Sequence, residues 1–141
     1  MKLLSQWLTH LQFYKKAMNE QSICPLPWIH LSANQDQTLR ICCNTDNGGF
    51  IRDDAGKKIF LTNLSSINDF FNNFFMKNLR RQMLLGERPE ICRQCHRVED
   101  AGGESLRMVL VKQHKELLNS LVTKTHSDGF SEPHIRYIDF A

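Results

Sequence analysis

The run Glu90-Ile91-Cys92-Arg93-Gln94-Cys95-His96-Arg97-Val98-Glu99 carries two thiols three residues apart. Such a Cys-x2-Cys knuckle can grip one metal ion or one iron–sulfur centre, but a four-sulfur site needs two more ligands. The chain offers these upstream, at Cys24 and at the adjacent pair Cys42/Cys43. The residue types therefore point to a four-cysteine cofactor site, with one thiol of the five left over.

The segments around these thiols indicate how they could meet. Cys24-Pro25-Leu26-Pro27-Trp28 is forced by its prolines to be extended or turned, a stiff frame for a ligand. The plainer alternative is a buried structural cysteine beside a core Trp. Residues 29–32 and 39–43 read as two short strands joined by the polar turn Asn34-Gln35-Asp36-Gln37. This hairpin would return Cys42 and Cys43 to the side of Cys24. Neighbouring residues on a strand face opposite ways, so only one of the pair can join Cys24 at a common centre. Leu39, Ile41 and Cys43 share one face; Thr38, Arg40 and Cys42 share the other. If the Leu39/Ile41 face is core, Cys43 is packed and Cys42 is the ligand. His30 reads either as a structural side chain or as a ligand or proton donor.

A second hairpin is expected from residues 50–52 and 58–61 around Asp53-Asp54-Ala55-Gly56-Lys57. Gly48-Gly49 lacks the Lys-Ser/Thr and helix start of a phosphate loop. The strongest helical pattern starts at Ser66, with Asp69 placed as in a capping box, and ends at Gly86. Its apolar face is Ile67, Phe70, Phe71, Phe74, Phe75, Leu79 and Met83. Each such side chain contributes roughly 1.5–3 kcal/mol when fully buried, so this face should anchor the core. A further helix is expected over residues 106–122. Residues 123–130 read as turns, and residues 134–140 as a last strand, unpaired or irregularly packed. At the other end, Leu4, Trp7, Leu8, Leu11, Tyr14 and Met18 recur at helical spacing and predict an amphipathic opening helix.

Composition bounds the class. The 141 residues are 41% hydrophobic and 23% charged with a net charge of +3, as expected of a single globular domain. The local cluster Lys77, Arg80 and Arg81 reads as the solvated face and last turn of a helix, and nothing else in the charge singles out nucleic acid. Gln6, His10, Lys15 and Lys16 interrupt the apolar residues at the start, so no secretory signal is read, and no apolar run is long enough to cross a bilayer. The expected compartment is the reducing cytoplasm, where clustered cysteines bind metal more often than they form disulfides.

Taken together, Cys24-Pro25-Leu26-Pro27-Trp28, the Cys42-Cys43 pair and Cys92-x2-Cys95-x3-Glu99-x2-Gly102-x2-Ser105-x-Arg107 resemble the twitch, or half-SPASM, domain of radical S-adenosylmethionine proteins. The resemblance runs from about residue 23 to residue 107 and is to the subgroup in which this domain precedes the radical barrel. It implies an auxiliary 4Fe–4S cluster held by Cys24, Cys42, Cys92 and Cys95, beside which a peptide or small substrate is positioned for the radical enzyme. The family spacing selects Cys42 over Cys43. Where the related SPASM pattern has a Gly, this chain has Gln37. It also lacks the Cys-x3-Cys-x2-Cys motif that binds S-adenosylmethionine. The resemblance therefore implies a truncated or split portion that is not catalytic alone, with the barrel and S-adenosylmethionine supplied by another chain.

The residues leave alternatives open. Four thiolates also suit a structural zinc site, whose binding free energy of roughly 10–16 kcal/mol would stabilise a hairpin-rich scaffold. A thiol–disulfide site at Cys92 and Cys95 would need a preceding strand, which the pattern lacks. Glu99, Ser105 and Arg107 could bind a substrate carboxylate or an anionic cofactor, or Glu99 and Arg107 could pair while Ser105 caps a helix. No spacing supports a hydrolase. The expected fold is small α+β, twitch/SPASM-like, with hairpins and flanking helices around the cysteines: an N-terminal helix over 1–20, the cluster domain over 21–122, and a linker and stub over 123–141 resembling the approach to the first strand of a missing barrel.

Overall fold

The computed structural model describes residues 3–6, 22–45 and 49–140. Residues 3–6 are helical and exposed; the rest of the expected opening helix lies outside the described residues. The architecture is small α+β around a mixed three-stranded sheet. None of the described helices is long and apolar enough to cross a membrane.

The proline-framed segment after Cys24 winds into a single helical turn, α1 (Leu26–Ile29), with Pro27 in its first turn where a missing N–H costs nothing. It runs straight into β1 (His30–Ala33), which pairs antiparallel with β2 (Leu39–Arg40), Ser32 opposite Arg40 and Ala33 opposite Leu39. The turn between them closes through Gln37 N–H to Asn34 C=O and through Asp36, which accepts from the Thr38 backbone and hydroxyl. Gln37 sits at φ +69°, the left-handed region that favours glycine. Glycine adopts this backbone conformation without a Cβ penalty, and Gln37 bears that cost. Gln37→Gly is expected to stabilise the chain by about 0.5–1 kcal/mol in urea unfolding, since both of its backbone hydrogen bonds are kept. A loss of stability would mean that the side chain itself holds the turn.

The second hairpin is present as isolated bridges, Arg40 to Phe50, Arg52 to Lys58 and Thr38 to Phe60, which wrap β2 from both ends. Gly56 closes its turn at φ +80°.

The Phe-rich helix is two helices. Asn72 leaves helical geometry, and Asn73 caps a new start by accepting from Met76 N–H. The pieces are α2 (Asn68–Phe71) and α3 (Phe74–Leu84). Asparagine competes with the helical backbone for hydrogen bonds, and two in succession end one helix and begin the next. The break re-aims the second piece. Phe70, Phe71, Leu79 and Met83 are buried as expected, but Ile67 and Phe74 are exposed, while Met76, Arg80 and Leu84 turn inward. Arg80 is thus fully buried rather than on a solvated face. At Gly86 the helix ends in a Schellman motif, with Gly86 N–H to Met83 C=O and Glu87 N–H to Gln82 C=O.

A 3-10 turn (Glu90–Cys92) leads into α4 (Arg93–Asp100). The helix expected over 106–122 is also split, into α5 (Leu106–Gln113) and α6 (Lys115–Lys124), at His114. Ser105 caps α5 by accepting from Met108 N–H.

The last strand is paired, contrary to expectation: β3 (Tyr137–Phe140) lies parallel to β1, with His30 opposite Tyr137 and Ser32 opposite Asp139, so the sheet order is β2-β1-β3. Buried His30 hydrogen-bonds Asp139 at 2.7 Å across this pairing. The turns before it are also tied down: Thr125 is buried and accepts from Trp28 Nε1 at 2.8 Å, and Gly129 C=O accepts from Arg80. Trp28, Ile29, Leu39, Ile51, Phe70, Phe71, Met83 and Leu118 form the centre of the core.

Candidate functional site

All five cysteines are free thiols, and four of them line one apolar cavity: Cys24, Cys42, Cys92 and Cys95. The cavity holds about 30 Å³ of space, and Leu26, Ile41, Met83, Ile91 and Leu110 complete much of its wall. Cys43 is exposed and lines a different cavity. Strand alternation does not account for this: β2 ends at Arg40, Ile41 and Cys42 line the same cavity, and Cys43, expected to pack with Leu39 and Ile41, is exposed because the chain turns at Cys43 and Asn44.

Three separate pieces of chain deliver the four sulfurs. Cys24 stands just before α1. Cys42 follows β2 and is tied to its loop, where Thr45 donates to Cys42 C=O and Arg40 donates to Thr45. Cys92 is the N-cap of α4, and Cys95 lies in the first turn of that helix, whose positive end favours anionic sulfur. Asn44 Nδ2 donates to Cys95 Sγ at 3.4 Å, joining the hairpin end to the knuckle.

Burial dominates the electrostatics. It pushes the Cys42 thiol up to about 11 and the Cys92 thiol up to about 12, and drives Cys24 well above the ordinary thiol value. The thiols also raise one another by charge repulsion: Cys24 feels Cys92, Cys42 and Cys95, and Cys92 feels Cys42 and Cys95. Opposing this, backbone N–H groups bond the sulfurs, that of Leu26 to Cys24 and that of Asn44 to Cys42. Burial thus favours the protonated form of Cys24, Cys42 and Cys92, and a metal bound by these sulfurs would displace their protons.

A polar brace stands against this cavity. Glu99 accepts from Arg107 at both oxygens, Oε1 from Nε at 2.8 Å and Oε2 from a terminal nitrogen at 2.6 Å. Ser105 Oγ donates to Oε1 at 2.6 Å, and His96 Nδ1 lies 3.3 Å from Oε2. The other terminal nitrogen of Arg107 donates to Ile23 C=O at 2.9 Å. Arg107 itself lines the cysteine cavity. One guanidinium thus ties the residue before Cys24 to the helix that carries Cys95. Of the two sequence expectations for this trio, the internal pair with a capping Ser105 is the one seen, and the forked face of Arg107 is occupied by Glu99. Burial pushes the Glu99 carboxyl up, but the Arg107 and Ser105 hydrogen bonds and the Arg107 charge outweigh it and hold the group at about 2. Burial likewise lowers His96 and keeps it neutral.

Sequence reading did not find Asn44, nor the partnership of His30 with Asp139, which lie far apart along the chain. The turn composition around Asn44 was the only signal for the first; the second had none.

The donor set is four thiols, of the kind that binds soft or borderline metals. Among the described residues, no three or more His, Cys, Asp or Glu side chains gather closely enough to hold a single metal ion. Comparison of the chain with family models, with curated proteins and with solved structures gives no match.

Proposed function

We propose that Cys24, Cys42, Cys92 and Cys95 hold a 4Fe–4S cluster, and that the domain is an auxiliary cluster module of the twitch/SPASM kind. The observation that carries the reading is the convergence of these four thiols, from three pieces of chain, on one apolar cavity that leaves Cys43 out. The N–H groups aimed at Cys24 and Cys42 support it, because hydrogen bonds to sulfur tune such clusters.

When bound, the cluster would supply a centre for electron transfer or for positioning a peptide or small-molecule substrate. The chain's own residues do the rest. Leu26, Ile41, Met83 and Leu110 exclude water, the Asn44 amide orients Cys95, and the Arg107–Glu99 brace fixes Cys24 relative to α4. On this reading the domain is not catalytic alone. It works with a radical barrel that binds S-adenosylmethionine through its own cysteines.

Single Ser substitutions at Cys24, Cys42, Cys92 and Cys95 are each expected to remove most of the iron and sulfide from anaerobically purified protein, while Cys43→Ser keeps both. Full retention in Cys92→Ser, or loss in Cys43→Ser with retention in Cys42→Ser, would overturn the ligand assignment.

A further inference from the structure

A second cavity, of about 490 Å³, backs onto the first through a shared wall of Leu26, Leu106 and Leu110. Its size falls within the roughly 300–1,000 Å³ of small-ligand pockets. Beyond that apolar wall it is lined by Asp139, His30, Tyr137, His114, Gln113 and Cys43, with no Lys or Arg among the described residues that line it.

Two features set its chemistry. Asp139 Oδ2 is held by buried His30, Asp139 Oδ1 has no hydrogen-bond donor among the described residues, and the side chain as a whole is 41% exposed. A partly exposed carboxylate with one partner keeps acceptor capacity for an N–H from outside the fold. The rings of His114 and Tyr137 lie 5.6 Å apart and tilted by 57°, presenting aromatic surface at the same cleft. An aliphatic wall, aromatic faces and an under-satisfied carboxylate together complement an alkyl stem with a cationic head.

We propose that this cleft binds the side chain of a lysine or arginine, presented by a peptide, with its stem along Leu26, Leu106 and Leu110 and its charged head on the Asp139 carboxylate. The assignment is independent of what the cysteine cavity holds.

The test is titration of N-acetyl-lysine methylamide, n-butylammonium and the uncharged N-acetyl-norleucine methylamide into the full chain, followed by amide NMR. The lysine compound should give saturable shifts at Gln113, His114 and Tyr137 with a Kd on the order of 10 mM or tighter, as expected for a single side chain. The norleucine compound should bind at least about tenfold more weakly, for want of the charged hydrogen bond. Butylammonium matching the lysine compound would locate recognition in head and stem; tighter binding of the lysine compound would add the peptide backbone. Asp139→Asn should lose about tenfold in affinity and Tyr137→Ala several-fold. Tyr137 is about half exposed, so its variant remains informative even where Asp139→Asn folds poorly. Equal binding of the norleucine compound, absence of saturable shifts with the lysine compound, or unchanged affinity in folded Tyr137→Ala and Asp139→Asn would overturn the assignment.

Discussion

Arg80→Met is expected to lower the unfolding free energy by about 3–5 kcal/mol, enough to leave much of the chain unfolded at physiological temperature. The side chain is wholly buried, and its guanidinium donates to Gly129 C=O at 2.7 Å, Pro27 C=O at 2.9 Å, Phe71 C=O at 2.6 Å and Asn72 Oδ1 at 2.7 Å. It also stacks 4.6 Å from the centre of the Phe71 ring. Methionine fills much of the volume and leaves those acceptors without a donor, at about 1–3 kcal/mol for a buried group so stranded. Lysine keeps the charge but cannot fan its donors over acceptors on separate segments, so Arg80→Lys should recover only part of the loss. Gly129 completes the arrangement: its φ is +92°, and a Cβ there would stand 1.9 Å from Lys77 C=O. The measurement is urea unfolding of matched preparations. A change below about 1 kcal/mol would show that the buried charge does not hold α1, the α2–α3 break and the 126–130 turn together.

The second large effect is expected at Glu99. Glu99→Gln removes the charge that compensates buried Arg107 and should cost about 3 kcal/mol, with iron and sulfide content falling as Cys24 is freed from α4. The pH dependence separates this from a general packing defect. The Glu99 carboxyl is held at about 2 in the folded chain, against an ordinary 4.5, so between those values the unfolded chain binds the extra proton. The pair's contribution is therefore complete above about pH 4.5 and is lost as pH falls toward 2, about 3 kcal/mol in all. Urea midpoints of the parent should drop over that window, and those of Glu99→Gln should drop less steeply. Parallel profiles for the two chains would contradict the role given to the pair.

Where residues declare their own neighbours, the sequence was readable. The first hairpin follows from alternation plus a four-residue polar turn, but the period of two ends with β2 at Arg40: it would pack Cys43 with Leu39 and Ile41, and Cys43 is exposed. The Gly86 terminus was legible because a Schellman motif is local. What failed was long-range or depended on one misplaced break. Asn72 and Asn73 were read through as part of an apolar helical stripe, and that single rotation put Phe74 outside and Arg80 inside. The pairing of β3 with β1 could not be read, because it joins segments more than a hundred residues apart and its exposed Tyr137, Ile138 and Phe140 look like a strand in search of a sheet. The Glu99–Arg107 pair was one of two readings, and spacing alone could not choose between an internal partner and a ligand.

The central claim is that the four converging thiols hold an iron–sulfur cluster. Its most direct measurement is iron, acid-labile sulfide and zinc content, with visible and paramagnetic-resonance spectra, on protein purified without oxygen. About four irons and four sulfides per chain, as a four-cysteine cluster requires, is the result the account predicts. One zinc per chain without sulfide would contradict it and make the cavity a structural metal site, and a chain that takes up neither after reconstitution would contradict it as well.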